Sequence, residues 1–180
     1  MNATYLNRRL SGLTMAMACL LNVSAASAHD YSDYRSCRKT KLTDFEGTIV
    51  DAAIATPALS TLKDLVIAAD LAGALSGAGP FTVFAPTNDA FAKIPGAVLS
   101  AIGSDKATLT SVLTYHVTPG HTDPRKSLWP REVKTLQGQT LFLDYDKTPQ
   151  INQSNATCQG VRTTNGVVWV IDSVLLPQFK

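Results

Sequence analysis

The side chains of this chain best suited to chemistry are its histidines, its cysteines and one loop rich in arginine and tryptophan. His29, His116 and His121 are nitrogen donors. If export cleaves the chain before His29, the new amino group and imidazole can chelate a soft or borderline ion such as copper, with His116 or His121 as a third nitrogen. The alternative is a terminus that simply begins with His. The loop His121–Arg131 carries Arg125, Lys126, Trp129 and Arg131 between Pro124 and Pro130. Arg and Trp are enriched at binding hot spots, and loops carry much of recognition, so this accessible-looking basic segment suits an acidic surface or a glycan. It reads equally as a solvated loop whose Trp129 caps the core. Tyr115 and His116 stand where a helix gives way to a strand. They are candidate binding residues, or a buried pair in which His116 bonds a carboxylate or hydroxyl. Asp172, a lone acid among apolar residues, is such a partner or a group that bonds backbone amides, because a buried unpaired carboxylate is costly.

Motifs of catalysis are missing. No Gly-x-Ser-x-Gly turn presents a nucleophile, and Ser76-Gly77 lies in a helix-ending loop with no base nearby in sequence. There is no phosphate loop, no Rossmann glycine pattern and no His-Glu-x-x-His. The expectation is a non-enzyme with no cofactor.

The elements that hold these residues begin after a leader. Basic Arg8 and Arg9, an apolar run from Leu10 to Val23 and then Ala26-Ser27-Ala28 read as a secretory signal cleaved after Ala28. The run is shorter than the roughly 20 residues that span a bilayer, and no later segment is long enough. Lipid anchoring through Cys19 is not expected, because Ala16-Met17-Ala18 is a poor lipobox. The two arginines match the twin-arginine motif only loosely, which favours Sec export. Removing residues 1–28 from 180 leaves 152, an ordinary size for one domain. It also takes the 16 basic residues to 14, equal to the 14 acids, so nothing points to nucleic acid or to bulk membrane attraction. The remaining cysteines, Cys37 and Cys158, are an even number in an oxidising compartment and predict one disulfide. Closing so long a loop contributes up to about 4–5 kcal/mol on the chain-entropy account.

Residues 29–46 are polar and aromatic without sustained periodicity and predict an extended arm held by Cys37. From Thr48 to about Leu75 apolar residues recur at helical spacing, broken at Thr56-Pro57, with Ser60 placed to cap a second helix. Phe81–Phe84 predicts a buried strand after Gly79-Pro80. Thr87 or Asn88 can cap a short helix through Phe91, and Ser104 or Asp105 another through Leu113. Strands are predicted over 133–136, 140–145, near Ile151 and over 167–176, with turns at Gly138-Gln139 and Asn165-Gly166. Helices first and strands later make the class α+β.

Three ordered segments resemble one family. Phe81-Thr82-Val83-Phe84-Ala85-Pro86-Thr87-Asn88-Asp89-Ala90-Phe91 is similar to the first signature of fasciclin (FAS1) domains, Leu113-Thr114-Tyr115-His116-Val117 to their Tyr-His segment, and Asn165 through Pro177 to their second signature. Thr135-Leu136-Gln137-Gly138 resembles the strand-turn connection between them. The resemblance runs from about Gly47 to Pro177, dividing the chain into a leader at 1–28, an arm at 29–46 and a FAS1 domain at 47–177. It implies a β-wedge or sandwich of about seven strands packed with short helices, most like the secreted single-domain bacterial members. It also implies adhesion or extracellular binding, with a surface or matrix protein or a polysaccharide as partner. In animal relatives integrin binding is placed on an Asp-Ile type motif before the second signature and on the Tyr-His segment. Here that region reads Gln159-Gly160-Val161-Arg162-Thr163-Thr164, so integrin binding is not carried over.

The chain is therefore expected in the periplasm or outside the cell, with a monomer as the default. A small-ligand or copper carrier is the alternative. A deep apolar pocket favours the carrier and an exposed aromatic-basic patch favours adhesion. Asn152-Gln153-Ser154 and Asn155-Ala156-Thr157 are glycosylation sequons, of consequence only in a glycosylating host.

Overall fold

The side chains that start the helices explain where they stand. In the computed structural model, which describes residues 26–127 and 129–179, Thr48 begins the helix Ile49–Ala55 with a capping box. Its hydroxyl accepts from the Asp51 amide, and the Asp51 carboxylate accepts from the Thr48 amide at 2.8 Å. Because it holds the charged carboxylate in these bonds, Thr48 lowers the Asp51 pKa. Pro57 opens a 3-10 turn over Pro57–Leu59, after which Ser60–Ala68 is helical. The expected Ser60 cap is corrected here. Ser60 is the first helical residue, and the carbonyl oxygen of the distant Asn88 side chain accepts from the Thr61 amide at 3.0 Å.

Numbered along the chain, the helices are α1 (Ala26–Lys39), α2 (Ile49–Ala55), α3 (Ser60–Ala68), α4 (Ala72–Ser76), α5 (Asn88–Ala92), α6 (Gly96–Ser104) and α7 (Lys106–Tyr115). Thr87 caps α5 and Asp105 caps α7, as expected. Several differences concern whole elements, among them the ten-residue strand Ser154–Thr163, where no strand was expected. Helix α6 lies among glycines and was not foreseen. Residues 26–39 form a helix where an extended arm was expected, and its backbone includes His29. The predicted leader through Ala25 lies outside the described residues.

The strands are β1 (Thr43–Asp44), β2 (Phe81–Pro86), β3 (Val117–Pro119), β4 (Arg131–Lys134), β5 (Thr140–Asp146), β6 (Thr148–Ile151), β7 (Ser154–Thr163) and β8 (Gly166–Ile171). Among the described residues they form one sheet in the order β3-β2-β8-β7-β6-β5-β4, with β1 pairing β7. The ladders are antiparallel except β2–β8 and β1–β7. Near its far end the Leu136 amide donates to the Val117 carbonyl at 2.8 Å, so the sheet curls until it is nearly closed. β2 and β8 approach closely because Gly166 has no side chain, a Cβ there standing only 2.1 Å from the Phe81 carbonyl oxygen.

Alternation along the central strands separates two cores. Val83, Ala85 and Val168 face the helices and pack with Ile49, Leu62, Val66, Leu109 and Val112. Phe84, Val167, Trp169 and Ile171 face into the curled sheet and meet Tyr115, Leu141, Leu143 and Ile151. The arm joins the second region through the Cys37–Cys158 disulfide, whose Cα atoms are 5.0 Å apart, and through Tyr34, edge-on to Tyr145 with ring centroids at 4.7 Å. Burial raises the Tyr145 pKa, with Asp33 and Tyr34 adding to the effect.

Candidate functional site

Between β3 and β4 the chain makes the loop singled out in the sequence, and its two halves have opposite surroundings. The first half is bolted to the sheet. Thr82, on β2, donates its hydroxyl to the Gly120 carbonyl at 2.7 Å and accepts from the Thr122 amide at 2.8 Å. Thr118 and Thr122 bond each other through their hydroxyls at 3.3 Å, and all three threonines are buried. The Thr122 carbonyl accepts from the indole N–H of Trp169 at 3.1 Å. Asp123 then caps a 3-10 turn over Pro124–Lys126.

Arg125 belongs to this buried half, a correction to the accessible basic loop expected from composition. It is 6% exposed. Its Nε and Nη2 donate in a fork to the two oxygens of Asp123, both at 2.9 Å, which places a carboxylate beside the buried cation. Its Nη1 donates to the carbonyls of Thr40 and, at 3.3 Å, Cys158. The guanidinium carbon lies 4.7 Å from the centroid of the Trp169 ring. That ring in turn covers Gly160, where a Cβ would meet it at 2.9 Å.

The second half of the loop faces outward. Trp129 is 80% exposed, far from the core-capping position that was its alternative reading. Arg131 opens β4 opposite Leu143, exposed and without an ion pair among the described residues. Lys126 is exposed, with its ammonium 3.9 Å from the Asp123 carboxylate that already serves Arg125, and His121 is exposed at the start of the loop. An exposed indole two residues from an exposed guanidinium can stack on an apolar or sugar surface and bond an anionic group.

Tyr115 and His116 are not part of this surface. The Tyr115 hydroxyl donates to the Thr140 carbonyl at 3.2 Å and accepts from the Asn152 side-chain amide at 3.1 Å. His116 is 2% exposed and bonds backbone at both nitrogens, where a carboxylate or hydroxyl was expected. Nδ1 lies 2.8 Å from the Val112 carbonyl, so it carries the proton, and the bare Nε2 accepts from the Leu175 amide at 2.9 Å. Burial pushes its pKa down to about 4 against a smaller upward effect of the Val112 carbonyl. With both nitrogens engaged, His116 has none left to complete a metal site with His29. Among the described residues no group of three or more His, Cys, Asp or Glu side chains could hold a metal ion.

Signature residues elsewhere are likewise structural. Asp172 accepts from the Asn155 backbone amide and side chain at 2.9 Å each; burial raises its pKa, and those bonds with Ser173 and Lys93 bring it below the usual range. Asn165 accepts from the Ile49 amide at 2.9 Å and donates to the Leu75 and Gly77 carbonyls, tying the β7–β8 turn to α2 and α4. Both sequon asparagines are engaged in hydrogen bonds, the half-buried Asn152 with Phe142 and Tyr115, the exposed Asn155 with Asp172, Thr148 and Gln150. An apolar cleft between α2 and α3, reaching His116, holds a cavity volume of about 30 Å³.

Comparison with known proteins agrees with this architecture. The family model described as Fasciclin domain matches residues 57–177. The chain is 43% identical over 138 residues to Protein sll1483 of Synechocystis, covering 75% of this chain and 76% of that one. It is 37% identical over 135 residues to the cell surface glycolipoprotein MPB83 of Mycobacterium bovis, covering 72% of this chain and 60% of the other. Among solved structures it is similar, with a TM-score of 0.51 and 20% identity, to a FAS1 domain pair from the insect cell adhesion molecule fasciclin I, covering 66% of this chain and 45% of that one. The chain thus spans 60% of the mycobacterial protein and 45% of the insect chain, less than two thirds of either. At that identity the insect structure shows the fold alone.

Proposed function

The chain belongs to the fasciclin domain family, and on that premise we propose that it is an exported, non-enzymatic module for adhesion or surface binding, with Trp129 and Arg131 as its point of contact. The partner is a surface or matrix protein or a polysaccharide. The observation that carries this reading is a tryptophan 80% exposed, two residues from an exposed arginine that has no ion pair among the described residues, on a loop whose root is built into the core. A large exposed aromatic without a folding role has desolvation to gain from a partner, and Trp and Arg dominate measured hot spots. The disulfide supports an oxidising, extracytoplasmic location, as do the leader-like sequence of residues 1–28 and a relative named for the cell surface. No helix among the described residues is long and apolar enough to cross a membrane.

The carrier alternative has less support. Ligand pockets usually run from about 300 to 1,000 Å³, against a cavity of about 30 Å³. The test is a pull-down from cell-envelope extract and culture medium with wild-type protein and the Trp129→Ala, Arg131→Ala variant. A specific protein or glycan kept by the first and lost by the second supports the reading. Equal recovery by both proteins, or a copurifying small molecule or copper in place of any partner, sinks it.

A further inference from the structure

We propose that Arg125 is the positioning residue of the Trp129 surface, and that through it this surface is presented only when the Cys37–Cys158 disulfide is closed; the proposal rests on Trp129 and Arg131 being the contact point. Four elements converge on this one guanidinium. Asp123 holds two of its nitrogens, Thr40 at the end of α1 and Cys158 on β7 supply carbonyls to the third, and Trp169 on β8 lies against its face. Two of the four, Thr40 and Cys158, stand on opposite sides of the disulfide. Thr40 is three residues from Cys37, and its amide donates to the Cys37 carbonyl at 3.1 Å. The bond between Cys37 and Cys158 therefore sets the distance between two acceptors that one nitrogen must reach together.

Arg125 passes that constraint to the loop. It sits in the 3-10 turn, with its own amide bonded to the Asp123 carboxylate at 3.1 Å, and the turn leads through Ser127 toward Trp129. Closing the disulfide removes two protons and two electrons from the thiols by exchange with an external disulfide donor, which leaves as two thiols. Before closure α1 has only noncovalent contacts to the sheet, and Nη1 has no fixed Thr40 carbonyl to meet. A buried cation short of an acceptor is unfavourable, so the turn gives way and the chain that carries the tip is no longer held at its root. After export and oxidation the clamp closes.

Fluorine NMR of protein labelled with 5-fluorotryptophan tests this directly, because the chain has two tryptophans and Trp129→Phe assigns them. In the oxidised wild type both resonances should be sharp and distinct. In Arg125→Met, with the disulfide intact, Trp169 should stay at a folded shift while the resonance of the exposed Trp129 changes and narrows as its motion becomes that of a loosened chain. The Arg125-turn amides at 125–127 should exchange at least tenfold faster. Reduction of the wild type by a dithiol, or Cys37→Ser with Cys158→Ser, should reproduce the change at Trp129. If those cysteine forms unfold, Arg125→Met alone decides. An unmoved Trp129 with unchanged exchange in Arg125→Met overturns the proposal, as does an unmoved Trp129 in a folded, reduced wild type. A loosened Trp129 in a protein that captures no envelope partner in any form supports the clamp and removes the binding reading instead.

Discussion

The root and the tip of the β3–β4 loop have similar composition and opposite fates. At the root, Thr122, Asp123 and Arg125 are satisfied by β2, β7, β8 and the end of α1. At the tip, Trp129 and Arg131 face outward. The difference teaches that a basic, aromatic stretch is not a binding surface as a whole. An arginine that follows a proline serves as a core residue when a carboxylate two positions away and three carbonyl or aromatic groups surround it. Binding capacity is then left to those side chains that the fold does not consume.

The sharpest way to break this contrast is to attack what holds the root. Removing the disulfide should lower unfolding free energy by about 4 kcal/mol, checked by urea denaturation with and without reductant. Arg125→Met should cost about 3 kcal/mol, since it leaves the Asp123 carboxylate without its buried counter-charge. The same measurement reads it. If either change proves neutral, the root is not built as described.

Acid should act on the second buried site. His116 has its pKa pushed down to about 4 from 6.5, so the unfolded chain binds the proton more readily than the folded one. Its contribution is complete above pH 6.5 and is lost as pH falls toward 4, by up to about 3 kcal/mol. Stability measured from pH 7 to pH 4 in wild type and in His116→Gln should show the slope in the first and a flatter line in the second. A smaller loss, about 1 kcal/mol, is expected for Tyr115→Phe, which removes one hydrogen bond to Thr140 and one from Asn152.

Much of the fold was legible because its signals are local. The capping residues Thr87 and Asp105 and the run Phe81–Phe84 announce elements by chemistry within a few positions. What escaped the sequence depends on distant partners. α1 has no apolar period because a disulfide and the Tyr34–Tyr145 contact hold it in place of an apolar stripe. β7, the longest strand described, opens Ser-Asn-Ala-Thr-Cys-Gln-Gly before its Val-Arg-Thr end, and that opening draws its strand character from pairing with neighbouring strands. For the loop, Trp129 and Arg131 stood out by residue type alone. The burial of Arg125 depends on Trp169 and Thr40, far away in sequence, and no spacing rule joins them. His116 and Asp172 were both singled out; His116 bonds backbone in place of a carboxylate or hydroxyl, while Asp172 accepts from the Asn155 backbone amide, one of its two expected roles.

The tip separates the two roles most directly. Trp129→Ala with Arg131→Ala should change unfolding free energy by no more than about 0.5 kcal/mol, because neither side chain is buried. Retention of that variant on the cell-envelope fraction, measured beside its denaturation curve and against wild type, is the decisive comparison. The account predicts native stability with retention lost. Native stability with retention intact would place the contact surface elsewhere on the molecule.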